Sequence, residues 1–321
     1  LVNRRGALAA LAAGWCAPLG AQPAFPSRPI TLVVGYPPGG STDLTARIIG
    51  PELGKRLGQT VVIDNVGGAG GTLGAQKVAA AKPDGHTLLL GTNNEMSIHK
   101  LINRSARVDG SSDFTPLGLI ASQPMMLVAS AAAGVKTLDE FLDKVKRHPG
   151  RFSYGSAGIG TALHLAGEMI KQRAGLFVVH IPYRGVAPLT NDLVGGQLEY
   201  GVFVMSSGLP HVRSGKVVAL GSTQLRPSTL APDIKPLGAH PQLKGLDIAS
   251  WFGLFGPLNL PAPIAQALQS ALRDALASPD VRRKLEDSGA TLADPATDPA
   301  AFMRAERDKY RRIVQRANIT E

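Results

Sequence analysis

Along this chain, short β-branched apolar runs alternate with stretches whose apolar residues fall three and four apart. Runs of the first kind lie at 30–34, 60–64, 87–90, 125–129, 177–181, 200–204, 217–220 and 251–255, and each predicts a strand. Residues 136–147 repeat Leu138, Phe141, Leu142 and Val145 at helical spacing. They open with Thr137 and Glu140, a T-x-x-E pattern that predicts a capping box. Ala162, Leu165, Ala166, Met169 and Ile170 make a second stripe, with His164 and Glu168 on another face. Ile264, Leu268, Leu272 and Leu276 make a third, entered through Pro261 and Pro263. Met303, Tyr310 and Val314 mark a C-terminal helix. Alternation of this kind predicts an α/β fold with mostly parallel sheets flanked by helices. At 321 residues the chain exceeds what one compact core usually supports, so two lobes are expected.

The first 25 residues change the picture of where the protein works. Arg4 and Arg5 precede a small-residue apolar run at 6–19, and Ala21 lies near a plausible cleavage point. Residues 1–25 therefore read as an export signal peptide. No later apolar stretch approaches the ~20 residues of a membrane helix, so a soluble, exported protein is expected. Cys16 is the only cysteine and would leave with the signal, which leaves no disulfide and no thiol nucleophile.

A net charge of +10 admits nucleic acid, an anionic surface or an anionic ligand as partner. Aromatic residues are only 5% and do not interleave with basic clusters, so stacking platforms are missing. The densest basic stretch, 304–316, alternates with Glu306 and Asp308 and reads as a solvated helix face. Nucleic acid is not expected. The seven histidines show no H-x-x-x-H or H-E-x-x-H spacing, so neither a metal nor a cofactor is expected.

In parallel sheets ligands gather at the carboxyl ends of strands, and five turns there hold candidate chemistry. The first is Tyr36, Pro37, Pro38, Gly39, Gly40, Ser41, Thr42, where glycines let a ligand approach the backbone. Ser41 or Thr42 can cap the next helix and leave its first N–H groups for an anion; the alternative is a plain tight turn. No G-K-[ST] follows, which removes a nucleotide P-loop. The second turn, NVGGAGGTLG at 65–74, reads either as a glycine-rich cofactor loop or as a connection into a helix starting near Thr72. The third, GTNNE at 91–95, offers side-chain donors at a strand end. The fourth, 154–168, carries Ser156, but Tyr154 stands where a nucleophile elbow needs glycine, and His164 has no obvious acidic orienter. A second anion-cradling helix start at 158–161 suits this turn better. The fifth places Tyr183 and Arg184 at a strand end, with Arg184 either pairing a carboxylate or lying exposed at a rim.

In order and spacing these turns resemble the Bug-type periplasmic solute receptors of tripartite tricarboxylate transporters. The carrying segments are YPPGGSTDLTAR (36–47), VIDNVGGAGGTLGAQKVAAAKPDGHTLLLGT (62–92), DFTPLGLI (113–120), YGSAGIGTALHLAGE (154–168), HIPYRGVAPLTNDLVGGQ (180–197) and SWFGLFGP (250–257). The resemblance implies a two-lobed, Venus-flytrap binding protein of type II-like architecture. It divides the chain into residues 26–123 plus 222–321 for lobe 1 and 124–221 for lobe 2, hinged near Leu127 and Gly221. It also implies that backbone amides and ordered waters hold one ligand carboxylate. Pro38, Gly39, Gly40 and Ser41 would stand on one side, and Ser156, Ala157, Gly158, Gly160 and Thr161 on the other. Thr92, Asn93 and Tyr183 would surround the pocket, and Tyr36, Thr42 and His164 complete the candidate set.

The implied function is capture of a small carboxylate by lobe closure in the periplasm. Delivery would be to the large and small integral membrane subunits of the transporter, by a monomer without catalytic residues. Two alternatives stay open: a receptor presenting its ligand to a signalling protein, and an exported hydrolase using Ser156 or Ser41 with His164. The chain departs from the family at two places. The 231–242 loop lacks a Pro-Thr-x-x-Glu pattern, and Pro51 is expected to kink or interrupt the first helix.

Overall fold

The computed structural model describes residues 25–228, 230–317 and 319, so the export signal read at 1–25 lies outside the described residues except for Phe25. The chain opens with β1 (Ile30–Val34), α1 (Ser41–Leu57), β2 (Val61–Asn65), α2 (Thr72–Ala79) and β3 (Thr87–Thr92). β1 lies between β2 and β3, parallel to both. Its apolar run, broken only by the half-buried Thr31, follows from burial on both faces. Leu32 and Val34 pack with Ile49 and Leu53 of α1, whereas Val33 packs with Ala75 and Val78 of α2.

After β3 come a wide helical turn at Asn94–Ile98, a single-turn helix α3 (His99–Ile102) and β4 (Phe114–Ser130). A second unit follows: α4 (Leu138–Arg147), β5 (Ser153–Ser156), α5 (Ala162–Ala174), β6 (Val179–Pro182), α6 (Val186–Val194), β7 (Tyr200–Val204), α7 (Met205–Arg213) and β8 (Val217–Ser222). Here β5 runs parallel between β6 and β7. The chain closes with β9 (Ala249–Pro257), α8 (Ala262–Ala277), α9 (Pro279–Asp287), β10 (Thr291–Leu292) and α10 (Pro299–Ala317).

The strand order is β2-β1-β3-β9-β4-β7-β5-β6, with β8 and β10 also on β4. β4 joins the two halves. Its residues 114–124 pair with β9, and from Met125 onward it pairs with β7 and β8. These pairs and β3–β9 are antiparallel, so the expectation of mostly parallel sheets holds within each β-α-β unit and fails at the seam. The reason is connectivity: strands that carry the chain between halves need no crossover helix, and only a crossover makes neighbours parallel. The first half of β4 was not legible as a strand because Pro116 and Gly118 interrupt its apolar pattern. They sit at one of the register irregularities where the β4–β9 ladder tolerates a missing donor.

The three stripes bury as their spacing requires. Phe141, Leu142 and Val145 of α4 share a core with Leu165, Ala166 and Ile170 of α5. The capping box on α4 is present with one change. Thr137 accepts from Glu140 N, and the Glu140 carboxylate reaches Lys136 N, one residue before the cap. Helix α10 ties the halves together, with Met303 in one core and Tyr310 and Val314 in another.

Helix α1 runs without interruption through Pro51, against expectation, and ends at left-handed Gly58. Pro51 and Arg47, whose carbonyl loses its intrahelical donor, both lie on the exposed face. Water can satisfy that carbonyl, so the proline is tolerated.

Candidate functional site

The turn after β1 is built to let two backbones meet. A Cβ on Gly35 would lie 2.6 Å from Gly71 O, and Gly39 takes φ +87°. Glycine is required at the first for space and favoured at the second for conformation. Gly40 is the N-cap of α1 without a side-chain bond, so Ser41 and Thr42 do not cap it as expected. Asp43 instead braces the turn ahead of the helix: its carboxylate accepts from Gly39 N at 2.9 Å, Arg47 Nε at 2.9 Å and Asn65 Nδ2 at 3.0 Å. Burial opposes ionisation of Asp43, but the bonds from Arg47, Gly39 and Asn65 outweigh it and hold its carboxyl below the ordinary value. Among the described residues no hydrogen bond ends on the amides of Ser41, Thr42 or Asp43. They carry the positive end of the helix dipole toward the cleft.

Beneath this turn lies a polar floor. Tyr36 Oη donates to Gly70 O at 2.8 Å and accepts from Asn94 Nδ2. Glu95 Oε1 accepts from Thr92 N at 2.6 Å, and Oε2 accepts from Thr92 Oγ1 at 2.7 Å. Burial pushes the Glu95 carboxyl up to about 7 despite those bonds. Burial and the neighbouring Glu95 also raise the Tyr36 phenol well above its usual range.

The opposing turn follows β5. Ser156 is fully buried; its Oγ bonds Gly158 O at 3.1 Å, Gly158 N at 3.2 Å and His180 Nε2 at 2.7 Å. Thr161 caps α5, accepting from His164 N at 3.3 Å. His164 Nδ1 accepts from Gly160 N at 3.1 Å, and its ring stacks on His180 with centroids 4.0 Å apart. Contrary to the sequence reading, His164 does have an acidic neighbour, Glu168 Oε1 at 3.8 Å. Burial lowers His164 to about 4, and burial with His164 and Lys171 nearby lowers His180 to about 3. Both rings therefore stay neutral at neutral pH, and the Ser156 hydroxyl is turned into the protein instead of the cleft.

The two turns face each other. Tyr36, Gly40, Ser41, Thr42 and Thr92 line a ≈ 20 Å³ cavity with Ala157. Tyr36 and Ala157 also border a ≈ 180 Å³ cavity lined by Gly70, Gly71, Gly158 and Tyr183. Pro38 and Gly39 border neither cavity, nor do Ser156, Gly160, Thr161 and His164, which shape the second turn from behind. Tyr183 borders this cavity, and its hydroxyl is turned to Asp192 at 2.7 Å.

Asn93 departs from the expected role. Its amide bonds Tyr310 Oη at 2.8 Å and Ala249 O at 3.1 Å, so it fastens α10 to β9. The next residue, Asn94, faces the cleft and spans it: Nδ2 donates to Tyr36 Oη, and Oδ1 accepts from Ala162 N at 2.6 Å. Both asparagines stood in the GTNNE motif, but the wide helical turn starting at Asn94 decides which one points inward. Asn94, Glu95 and Gly70 lay in candidate turns without being singled out as site residues, and His180 was not assigned a role behind the second turn. Larger hollows elsewhere, such as the ≈ 320 Å³ groove along Leu272 and Leu276, are remote from both turns.

The family description "Tripartite tricarboxylate transporter family receptor" matches residues 45–319. The chain belongs to this family. Its relatives include the UPF0065 protein in the tcbD-tcbE intergenic region of Pseudomonas sp. (strain P51), 33% identical over 292 residues, covering 91% of this chain and 87% of that protein. Among solved structures, MatC of Rhodopseudomonas palustris with bound malate is 33% identical with a TM-score of 0.85, covering 90% of this chain and 100% of the other. A second R. palustris protein, solved with adipate, has a TM-score of 0.88 at 28% identity, covering 92% and 99%. The fold is accordingly that of the two-lobed periplasmic binding proteins. Among the described residues no helix is long and apolar enough to cross a membrane. Nor does any group of three or more His, Cys, Asp or Glu among them suit a metal ion.

Proposed function

We propose that this receptor captures a small carboxylate between residues 26–123 plus 222–321 on one side and 124–221 on the other. It then presents the closed form, as a periplasmic monomer, to the large and small membrane subunits of its transporter. No step of this cycle is catalytic. The observation that carries the reading is the pair of strand-to-helix turns facing across Tyr36 and Ala157, one of them with three helix-start amides that have no partner among the described residues. Helix N-termini bind anions because their amide donors and the helix dipole point the same way. Neighbours solved with malate and with adipate support the ligand class. The lobe boundaries are supported by β4, whose partner changes from β9 to β7 between Pro124 and Met125. A hinge near Leu127 and Gly221 is supported by their pairing beside a register shift in the β4–β8 ladder.

Thermal unfolding with a panel of mono-, di- and tricarboxylates tests the proposal. A ligand at ~100 times its dissociation constant adds about 2.7 kcal/mol to stability. A panel in which no acid raises the melting temperature sinks it.

A further inference from the structure

Glu95 is a buried carboxyl in the floor of the cleft, and anion capture as described above does not use it. Its bonds come from Thr92 N and Thr92 Oγ1, with Tyr36 Oη 3.3 Å from Oε2. None of these partners carries a positive charge. The titratable and charged groups on the surrounding elements are Tyr36 in the first turn, His99 and Lys100 further along the same segment, and Glu306, Arg307, Lys309 and Tyr310 on α10; Lys100 bonds Ala106 O, Arg307 pairs with Asp109 and Lys309 with Glu306. Across the cleft α5 brings His164, bonded to Gly160 N. Of these, Tyr36 bonds Glu95 directly.

The single proton of Tyr36 Oη has Gly70 O at 2.8 Å, Glu95 Oε2 at 3.3 Å and Thr92 Oγ1 at 3.4 Å within reach, and the first two compete for it because Thr92 Oγ1 already accepts from Asn94 N. When Glu95 is protonated, its own proton can go to Tyr36 Oη, and the phenol proton is free for Gly70 O. When Glu95 is ionised, the phenol proton is drawn to the carboxylate and Gly70 O loses its donor. Gly70 and Tyr36 both line the larger cavity, and a Cβ on Gly71, beside them, would lie 2.7 Å from Glu95 Oε2. A bound anion in that cavity and an ionised Glu95 would therefore share one desolvated space, where like charges repel strongly.

We propose that carboxylate capture by this receptor is proton-coupled: the anion enters the closed cleft together with one proton, which resides on Glu95. Glu95 is a positioning residue, acting through Tyr36 and Thr92 on the turn at Gly70 and on the first helix start. The inference rests on the carboxylate-receptor reading. Burial supports it by bringing the Glu95 carboxyl to about 7, where proton uptake is within reach of a neutral solution.

The experiment is calorimetric titration of the native chain and of Glu95→Gln with the tightest-binding acid of the panel. The acid must be one already fully ionised from pH 6 to pH 8.5. Two buffers of different ionisation enthalpy report protons taken up. The native chain is expected to take up close to one proton per acid at pH 8.5. Its affinity should weaken by up to about tenfold per pH unit above the Glu95 pKa, whereas Glu95→Gln takes up none and binds independently of pH. A native chain with no uptake and a flat profile overturns the proposal, as does a pH profile that Glu95→Gln retains. Should Glu95→Gln not fold, uptake by the native chain alone decides, one proton in favour and none against. If no acid binds at any pH, the receptor reading falls and takes this inference with it; binding without uptake removes this inference alone.

Discussion

The two turns that face each other across the cleft begin alike and are held from behind in opposite ways. Each follows a strand, bends through glycine and opens a helix. The turn at Tyr36–Thr42 rests on a buried acid, Glu95, joined to it through Tyr36 and Thr92. The turn at Ser156–Thr161 rests on two stacked imidazoles, His164 and His180, joined to it through Gly160 N and Ser156 Oγ. Their helix starts differ as well. The first amides of α1 have no protein partner among the described residues, while Ala162 N and His164 N of α5 are taken by Asn94 and Thr161. The first turn thus offers donors, and the second supplies a shaped wall. Similar glycine motifs do not imply equal shares in binding, because the side chains behind them decide which donors stay available.

Glycine replacement separates offering from shaping most sharply. Gly158 takes φ +134°, and an added Cβ would lie 3.3 Å from Tyr183 O, so Gly158→Val should lose on the order of 4 kcal/mol of stability along with binding. Gly40 has an ordinary φ of −83° and only Pro37 O, at 3.9 Å, near an added Cβ. Gly40→Val should therefore fold, with a melting temperature lowered only slightly by the poorer N-cap, and lose affinity by steric block of the helix start. Equal melting temperatures for the two variants would break the distinction.

The pH dependence of stability tests the buried groups next. Glu95 is raised to about 7, so its contribution is present at low pH and lost as pH rises from the ordinary carboxyl range through 7. His164 and His180 are lowered to about 4 and 3, so the unfolded chain protonates first and stability falls as pH drops from 6.5 toward 3. Unfolding from pH 4 to pH 8 should show Glu95→Gln removing on the order of 3 kcal/mol of the loss on the alkaline side. His180→Gln should reduce the loss on the acid side. A profile that neither substitution alters would show that neither buried group titrates as its surroundings require.

A smaller effect distinguishes the adjacent asparagines. Asn93→Ala removes the donor to the buried Tyr310 hydroxyl, which keeps only its 3.4 Å bond to Ala249 O, and should cost about 1 kcal/mol in denaturant unfolding, with affinity unchanged. Asn94→Ala should change affinity by removing the bridge from Tyr36 to Ala162. Reversed outcomes would return the binding role to Asn93.

Much of this architecture was legible because periodicity reports burial. The run at 30–34 is apolar but for Thr31 since both faces of β1 are covered, and the α4 stripe and its Thr137 cap follow from contacts within one helix. The glycines of both turns could be read for the same local reason, since a tight turn needs them whatever lies opposite. The seam at β4, the passage of α1 through Pro51, and the separate tasks of Asn93 and Asn94 could not. Each depends on what another segment places alongside: β9 and β7 on one strand, solvent on one helix face, Tyr310 and Ala162 on neighbouring side chains. The charges behind the two turns belong to the same class. Glu95 and His180 acquire their displaced proton affinities only when distant segments exclude water from them. The sequence by itself determined the elements, the family pattern and the two glycine-bearing helix starts, because these rest on interactions a few residues long. Tertiary structure alone decided which donors face the cleft and which buried groups sit behind them, because burial and pairing across the chain set both.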